Sequence, residues 1–219
     1  MEFTKSTRLK DILNLPCFRQ MNGQFIASGT GDWFQGKEGL SLAELQQQNP
    51  TWYWEDVAYG LTRLREIALD GGRYVYPVGE GACLIHLPAK NRRYKDYAIL
   101  NAGGAYGAVC TMVEALPTAA KLNELGMDCF CLNYHTATRD SFVDGLMPKP
   151  LEDFALAWRY IKSNEAAFQL KAEDYIVGGF SAGGHLAAMW GTENHGARHF
   201  GIPAPRALLL AYPLIGLEN

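Results

Sequence analysis

No stretch of this chain approaches the roughly 20 apolar residues that cross a bilayer. The N-terminal MEFTKSTRLKDILNLP also lacks the apolar core of a secretory leader. No membrane partner is expected, and cytoplasm is the default location. Cysteine is sparse and odd in number: five in 219 residues, namely Cys17, Cys83, Cys110, Cys129 and Cys131. With no C-x-x-C and no Cys/His cluster at ligand spacing, this points to reduced thiols and no metal. An excess of positive charge is missing too, since 20 Lys and Arg face 23 Asp and Glu for a formal charge of −3 at pH 7. KNRRYK (90–95) is the most basic run. Lying between two apparent strands, it reads as a solvated hairpin turn, and no nucleic-acid partner is expected. No glycine run has the order G-x-G-x-x-G or ends in Lys-Ser or Lys-Thr, which disfavours a dinucleotide or nucleoside triphosphate.

What is present suffices for one substantial core: 48% of the residues are hydrophobic. The chain divides into an N-terminal extension (1–72), a candidate lid or cleft wall, and a regular body (73–219). In the extension, SLAE (41–44) fits a capping box opening a short helix. Val57, Leu61, Leu64 and Ala68 recur at helical spacing before the Gly71-Gly72 stop. The cluster Trp52-Tyr53-Trp54 reads either as a docking surface for this segment or as substrate contact. From Arg73 onward, strands are expected at 73–78, 82–88, 97–104, 127–135, 174–180 and 206–215. Helices are expected over about 112–125, after Pro150 and over 182–190, with Pro117 either kinking the first or marking its first turn. MDCFCLNYH (127–135), apolar at nearly every position, has the look of a parallel strand covered on both faces. Such alternation predicts an α/β fold with a mostly parallel, doubly wound sheet.

GFSAG (179–183) matches G-x-S-x-G between an apolar strand and a helix. That context lets Ser181 sit on a sharp turn at the carboxyl end of the sheet, with Gly179 and Gly183 removing Cβ atoms that would clash. The helix start turns free amides toward the serine, and the Ala182 amide becomes a candidate oxyanion donor. NAGGAYG (101–107) ends an earlier strand. Gly103, Gly104 and Ala105 lack the bulk that would keep their amides from an oxyanion, although an ordinary strand-to-helix turn has the same composition.

These two stretches resemble the α/β-hydrolase fold, more narrowly the hormone-sensitive-lipase-like carboxylesterases and the related acetyl-ester and xylan esterases. Gly103-Gly104-Ala105-Tyr106-Gly107 is similar to their HGGG or PGGGY oxyanion loop, and GFSAGGHLA to their nucleophile elbow. The similarity runs from about Arg73 to Leu217. Ala102 stands where the family has His or Pro, and Ala105 where it has glycine. The resemblance implies a serine carboxylic-ester hydrolase acting on small acyl esters, acetylated carbohydrate among them. It needs no cofactor, and Tyr106 and His135 are candidates for the substrate cleft.

The family's acid and histidine follow the serine in chain order. After Ser181 this sequence has no aspartate, and His185, His195 and His199 all precede the 206–215 strand. His185, one helical turn beyond Ser181, reads as structural; His195 and His199 read as exposed loop residues; His135 and Asp140 sit on the cleft rim. The expectation is a hydrolase lacking its C-terminal part, of little activity as 219 residues, with an uncovered apolar sheet edge prone to self-association. The alternative is a non-catalytic ligand-binding or protein-interaction module on the same fold.

Overall fold

The computed structural model describes residues 2–21, 28–29, 34–137 and 146–215. In chain order its strands are β1 (Ser28–Gly29), β2 (Val75–Pro77), β3 (Cys83–Leu87), β4 (Tyr97–Asn101), β5 (Ala108–Val109), β6 (Cys129–Asn133), β7 (Tyr175–Phe180) and β8 (Leu208–Ala211). Its α-helices are α1 (Leu9–Leu13), α2 (Leu42–Gln48), α3 (Trp54–Leu69), α4 (Ala115–Leu125), α5 (Lys149–Ser163), α6 (Glu165–Phe168) and α7 (Ser181–Trp190). Pro117 falls in the first turn of α4, where its missing N–H costs nothing.

Six strands form one sheet in the order β2-β3-β6-β4-β7-β8. β6, β4, β7 and β8 run parallel, with Ile99 beside Phe130, Leu100 beside Gly178 and Gly179 beside Leu210. β3 is antiparallel to both β2 and β6. The apolar run of β6 is thus parallel on one edge only, a correction to the sequence reading. Full burial on both faces, not strand direction, produces such a run.

KNRRYK also departs from expectation. β6 lies between β3 and β4, so residues 88–96 are a crossover under the sheet and not a hairpin turn. Arg92 crosses to the Asp128 carboxylate at the foot of β6 and donates to the carbonyls of Phe168 and Gln169. Asp128, its side chain 2% exposed, also accepts the Ala89 amide at 2.9 Å. Burial raises its carboxyl, but the His86 ring, the Arg92 guanidinium and the Ala89 amide outweigh that and hold it below its ordinary value.

The capping box forms as read: the Ser41 and Glu44 side chains each satisfy the other's backbone amide. α3 lays Val57, Leu61, Leu64 and Ile67 against the body. Gly60 lets it approach α4, since a Cβ there would lie 3.0 Å from the Pro117 nitrogen. Phe3, Leu9, Ile12 and Phe18 join the same hydrophobic cluster as Ile85, Ile99 and Phe130. Each such side chain contributes about 1.5–3 kcal/mol by leaving water. At the opposite edge Leu208, Leu209 and Leu210 of β8 are 37–47% exposed. Among the described residues no helix is long and apolar enough to cross a membrane, and no group of three His, Cys, Asp or Glu could hold a metal.

Candidate active site

β4 and β7 are neighbours, so the loops leaving their carboxyl ends meet. Asn101 ties them together from within, its buried Nδ2 donating to the Gly178 carbonyl at 2.9 Å. Ser181 follows β7 directly and opens α7 at φ +49°, a left-handed conformation that costs a non-glycine residue about 1–2 kcal/mol. The turn closes because its glycines allow it. A Cβ on Gly179 would lie 2.0 Å from the Gly183 carbonyl oxygen, and one on Gly183 would lie 2.1 Å from that of Asn101. Half-buried Ser181 is thereby presented over the sheet end, with the Ala182 amide in the first turn of α7, where the helix offers no acceptor.

The glycine loop turns just as sharply. Gly104 has φ +136°, and a Cβ there would collide with the Ala108 carbonyl at 2.2 Å. Ala105 (φ +51°) and Tyr106 (φ +59°) continue in the left-handed region, so alanine does keep the backbone angles this position demands. The amides of Gly104 and Ala105 donate to no acceptor among the described residues. Gly103 differs from the sequence expectation: its N–H is already taken by the Glu114 carboxylate and is not a free oxyanion donor. Gly103 instead serves as packing space, since a Cβ there would be 2.8 Å from Ser181 Cβ.

A cavity of about 230 Å³ opens beside Ser181, lined by Asn49, Thr51, Trp52, Gly104, Ala105, Cys110, Glu114 and Tyr212. Trp52 packs with its ring 5.7 Å from Phe34 and also lines the cavity. Glu114 is raised by burial, partly offset by bonds from the Gly103 amide and the Tyr212 hydroxyl. Burial likewise pushes the Cys110 thiol up to about 12, which keeps it protonated and a poor nucleophile.

The other expected residues lie elsewhere. The Tyr106 hydroxyl is 2.8 Å from His185 Nδ1, and its ring packs edge-on against Tyr134. His185, lowered by burial, thus links α7 to the glycine loop through Tyr106 and does not line the cavity beside Ser181. His135 gives both its backbone N–H and Nδ1 to Asp153 Oδ2, at 2.8 and 2.7 Å, while Lys149 Nζ holds Oδ1 at 3.0 Å. Neither Tyr106 nor His135 lines the cavity at Ser181. His195 and His199 are exposed, and Asp140 lies outside the described residues. Among the described residues no imidazole or carboxylate hydrogen-bonds the Ser181 hydroxyl. Glu114, Cys110, Asn49, Thr51 and Tyr212 carry no sequence signal, because three separate segments bring them together.

A parallel-cored α/β sheet with a strained serine between β7 and α7, facing a glycine loop, defines an α/β-hydrolase-type protein. The BD-FAE family model matches residues 84–201, more than half of the chain, and the chain belongs to that family. It is 28% identical over 127 residues to endo-1,4-beta-xylanase B of Butyrivibrio fibrisolvens, covering 55% of this chain and 20% of that protein. It is 26% identical over 118 residues to the acetylxylan esterase of Xylanibacter ruminicola, covering 53% and 22%. The crystal structure of MGS-M1, an alpha/beta hydrolase enzyme from a Medee basin deep-sea metagenome library, superposes with a TM-score of 0.53 at 25% identity over 66% of this chain and 58% of that one. The chain spans about a fifth of the length of the two relatives.

Proposed function

We propose that this protein is a serine carboxylic-ester hydrolase in which Ser181 is the nucleophile. The observation that carries the reading is the convergence of Ser181, at φ +49°, with the unpaired amides of Gly104 and Ala105 around one cavity. Ser181 Oγ bonds to the ester carbonyl carbon while the Gly104, Ala105 and Ala182 amides hold the oxyanion. Collapse breaks the bond to the alcohol oxygen, which leaves with the proton that Ser181 Oγ gave up, and water then hydrolyses the acyl-serine, its hydroxyl going to the acid and its other hydrogen back to Oγ. The acetylxylan esterase relative supports an acetyl group on a carbohydrate as the substrate, and about 230 Å³ beside Ser181 accommodates a small acyl group. Residues 49–52 of the N-terminal extension form one wall of this cleft. No nucleic-acid partner is part of this reading, and the exposed β8 leucines are the surface for self-association.

With no base on the Ser181 hydroxyl among the described residues, the 219-residue chain alone retains only oxyanion-hole catalysis, far below that of an intact triad. The same observation favours the second reading, a ligand-binding module on this fold. Labelling with a fluorophosphonate, followed by intact mass, separates the two. The hydrolase reading expects slow gain of one adduct that S181A abolishes; no adduct, or one that survives in S181A, supports the binding module. Robust S181A-sensitive hydrolysis of p-nitrophenyl acetate by this chain would overturn the low-turnover expectation.

A further inference from the structure

Glu114 occupies the N-cap position of α4 yet makes no capping bond to its own helix. Its side chain turns into the cleft instead. One carboxylate oxygen accepts the Gly103 N–H of the glycine loop, and the other accepts the Tyr212 hydroxyl at 3.0 Å. Tyr212 follows β8 at φ +36° and is itself largely exposed. One side chain therefore joins the backbone of the loop after β4 to the Tyr212 side chain after β8.

The position of that carboxylate is consequential. A point one bond length off the Gly103 Cα lies 3.1 Å from Glu114 Oε2 and 2.8 Å from Ser181 Cβ, so the carboxylate and the serine flank the same glycine. A carboxylate near a developing oxyanion is repulsive unless it acts through an intervening donor. Here that donor is the N–H of the Ala102–Gly103 peptide, one peptide ahead of the Gly104 amide. The next peptide is held from its other side, where the Gly103 carbonyl accepts the Cys110 N–H at 2.9 Å, so the two bonds together set the orientation of the Gly104 amide.

We propose that Glu114 is a positioning residue for the oxyanion loop: its bond to the Gly103 amide, braced by Tyr212, holds the Gly104 and Ala105 amides toward Ser181. This rests on the reading of Ser181 as nucleophile and of those amides as its oxyanion donors. Glu114 touches neither the substrate carbonyl nor the serine proton; it acts through the loop. The latch is strongest when the carboxylate is ionised, and burial shifts that ionisation upward from the ordinary glutamate range. The other titratable groups facing Glu114 are Cys110 from the segment after β5, Tyr134 after β6 and Tyr212 after β8. Burial raises all three, and no cation faces it among the described residues. The His185 ring, lowered by burial, reaches the same loop through Tyr106, so a titration seen at Gly103 below neutral pH belongs to Glu114 when E114Q abolishes it.

Two measurements test this on the whole chain. In 1H–15N spectra the Gly103 amide should titrate with a midpoint above that of an exposed glutamate. Y212F should move the midpoint further up by removing a donor to the carboxylate, and E114Q should abolish the titration. In fluorophosphonate labelling of Ser181, E114A should slow adduct formation on the order of tenfold or more, as for a loop misplaced by a fraction of an ångström. E114Q should recover most of that rate, because its amide oxygen still accepts the Gly103 N–H. Labelling of E114A at the wild-type rate, with S181A unlabelled, overturns the positioning role and leaves the nucleophile reading intact. A Gly103 amide that titrates normally, in a chain that never labels at Ser181, instead overturns the nucleophile reading and the oxyanion role of the latch with it. A Gly103 amide that does not titrate overturns the latch itself.

Discussion

Gly183→Ala replaces a hydrogen with a methyl group at the point where α7 crosses the loop after β4. The added Cβ would meet the Asn101 carbonyl oxygen at 2.1 Å and the Ala102 carbonyl oxygen at 2.4 Å, and real Cβ contacts essentially never fall below 3.0 Å. Both obstacles are backbone, so no rotamer change relieves them; the start of α7 must back away from the glycine loop until 2.1 Å becomes at least 3.0 Å. Overpacking of this kind costs about 1–3 kcal/mol. Because α7 carries Ser181 and the loop carries Gly104 and Ala105, the same shift widens the oxyanion site. Misplacement near 1 Å is worth about 10²-fold in rate. Urea unfolding and the rate of fluorophosphonate labelling report the two effects separately. Gly39→Ala is the control, at a glycine where a Cβ meets nothing within 4 Å. If Gly183→Ala matched that control in midpoint and labelled like wild type, the close approach of α7 to the loop, and the site built on it, would be wrong.

Ser181→Gly should be more stable than Ser181→Ala by about 1 kcal/mol in urea unfolding, since glycine adopts φ +49° without the strain that any Cβ carries there; equal midpoints would argue that Ser181 is not strained. Asp128→Asn should destabilise by about 2–3 kcal/mol at pH 7, at the lower end for a buried pair because the Arg92 side chain, 31% exposed, can rehydrate. The Asp128 carboxyl is held below its ordinary 3.8, so the advantage of wild type is full above that pH and fades as pH falls through the folded-state value. Unfolding at pH 7 and pH 2.5 checks this, and a gap independent of pH would count against the Arg92–Asp128 account.

The elbow was legible in sequence because its constraints are local. A strand, two glycines flanking a serine and a helix start lie within Tyr175–Trp190, and each glycine is required by a collision that the chain makes with its own near neighbours or with β4. The Ser41–Glu44 box was legible for the same reason. What sequence could not give was decided between segments. Strand direction is invisible in an apolar run such as 129–133, where both edges look alike. The basic residues at 90–95 resembled a solvated turn until Asp128, distant in sequence, turned out to be the partner of Arg92. The glycine loop is recognisable, but its three small residues divide two ways: the Gly103 amide is engaged by Glu114, whereas those of Gly104 and Ala105 donate to no acceptor among the described residues. Glu114 itself had no signature, being a single acid ahead of an apolar helix. The partner of His185 was equally invisible in sequence, since Tyr106 lies 79 positions away.

The central claim is that Ser181 and the Gly104, Ala105 and Ala182 amides form one oxyanion-binding site. A crystal structure of the chain after fluorophosphonate treatment tests it most directly. The account predicts a single phosphonyl group on Ser181 Oγ, its phosphoryl oxygen about 2.7–3.1 Å from those amides. A phosphonyl group on another residue, or one on Ser181 with its oxygen turned away from all three amides, would contradict it.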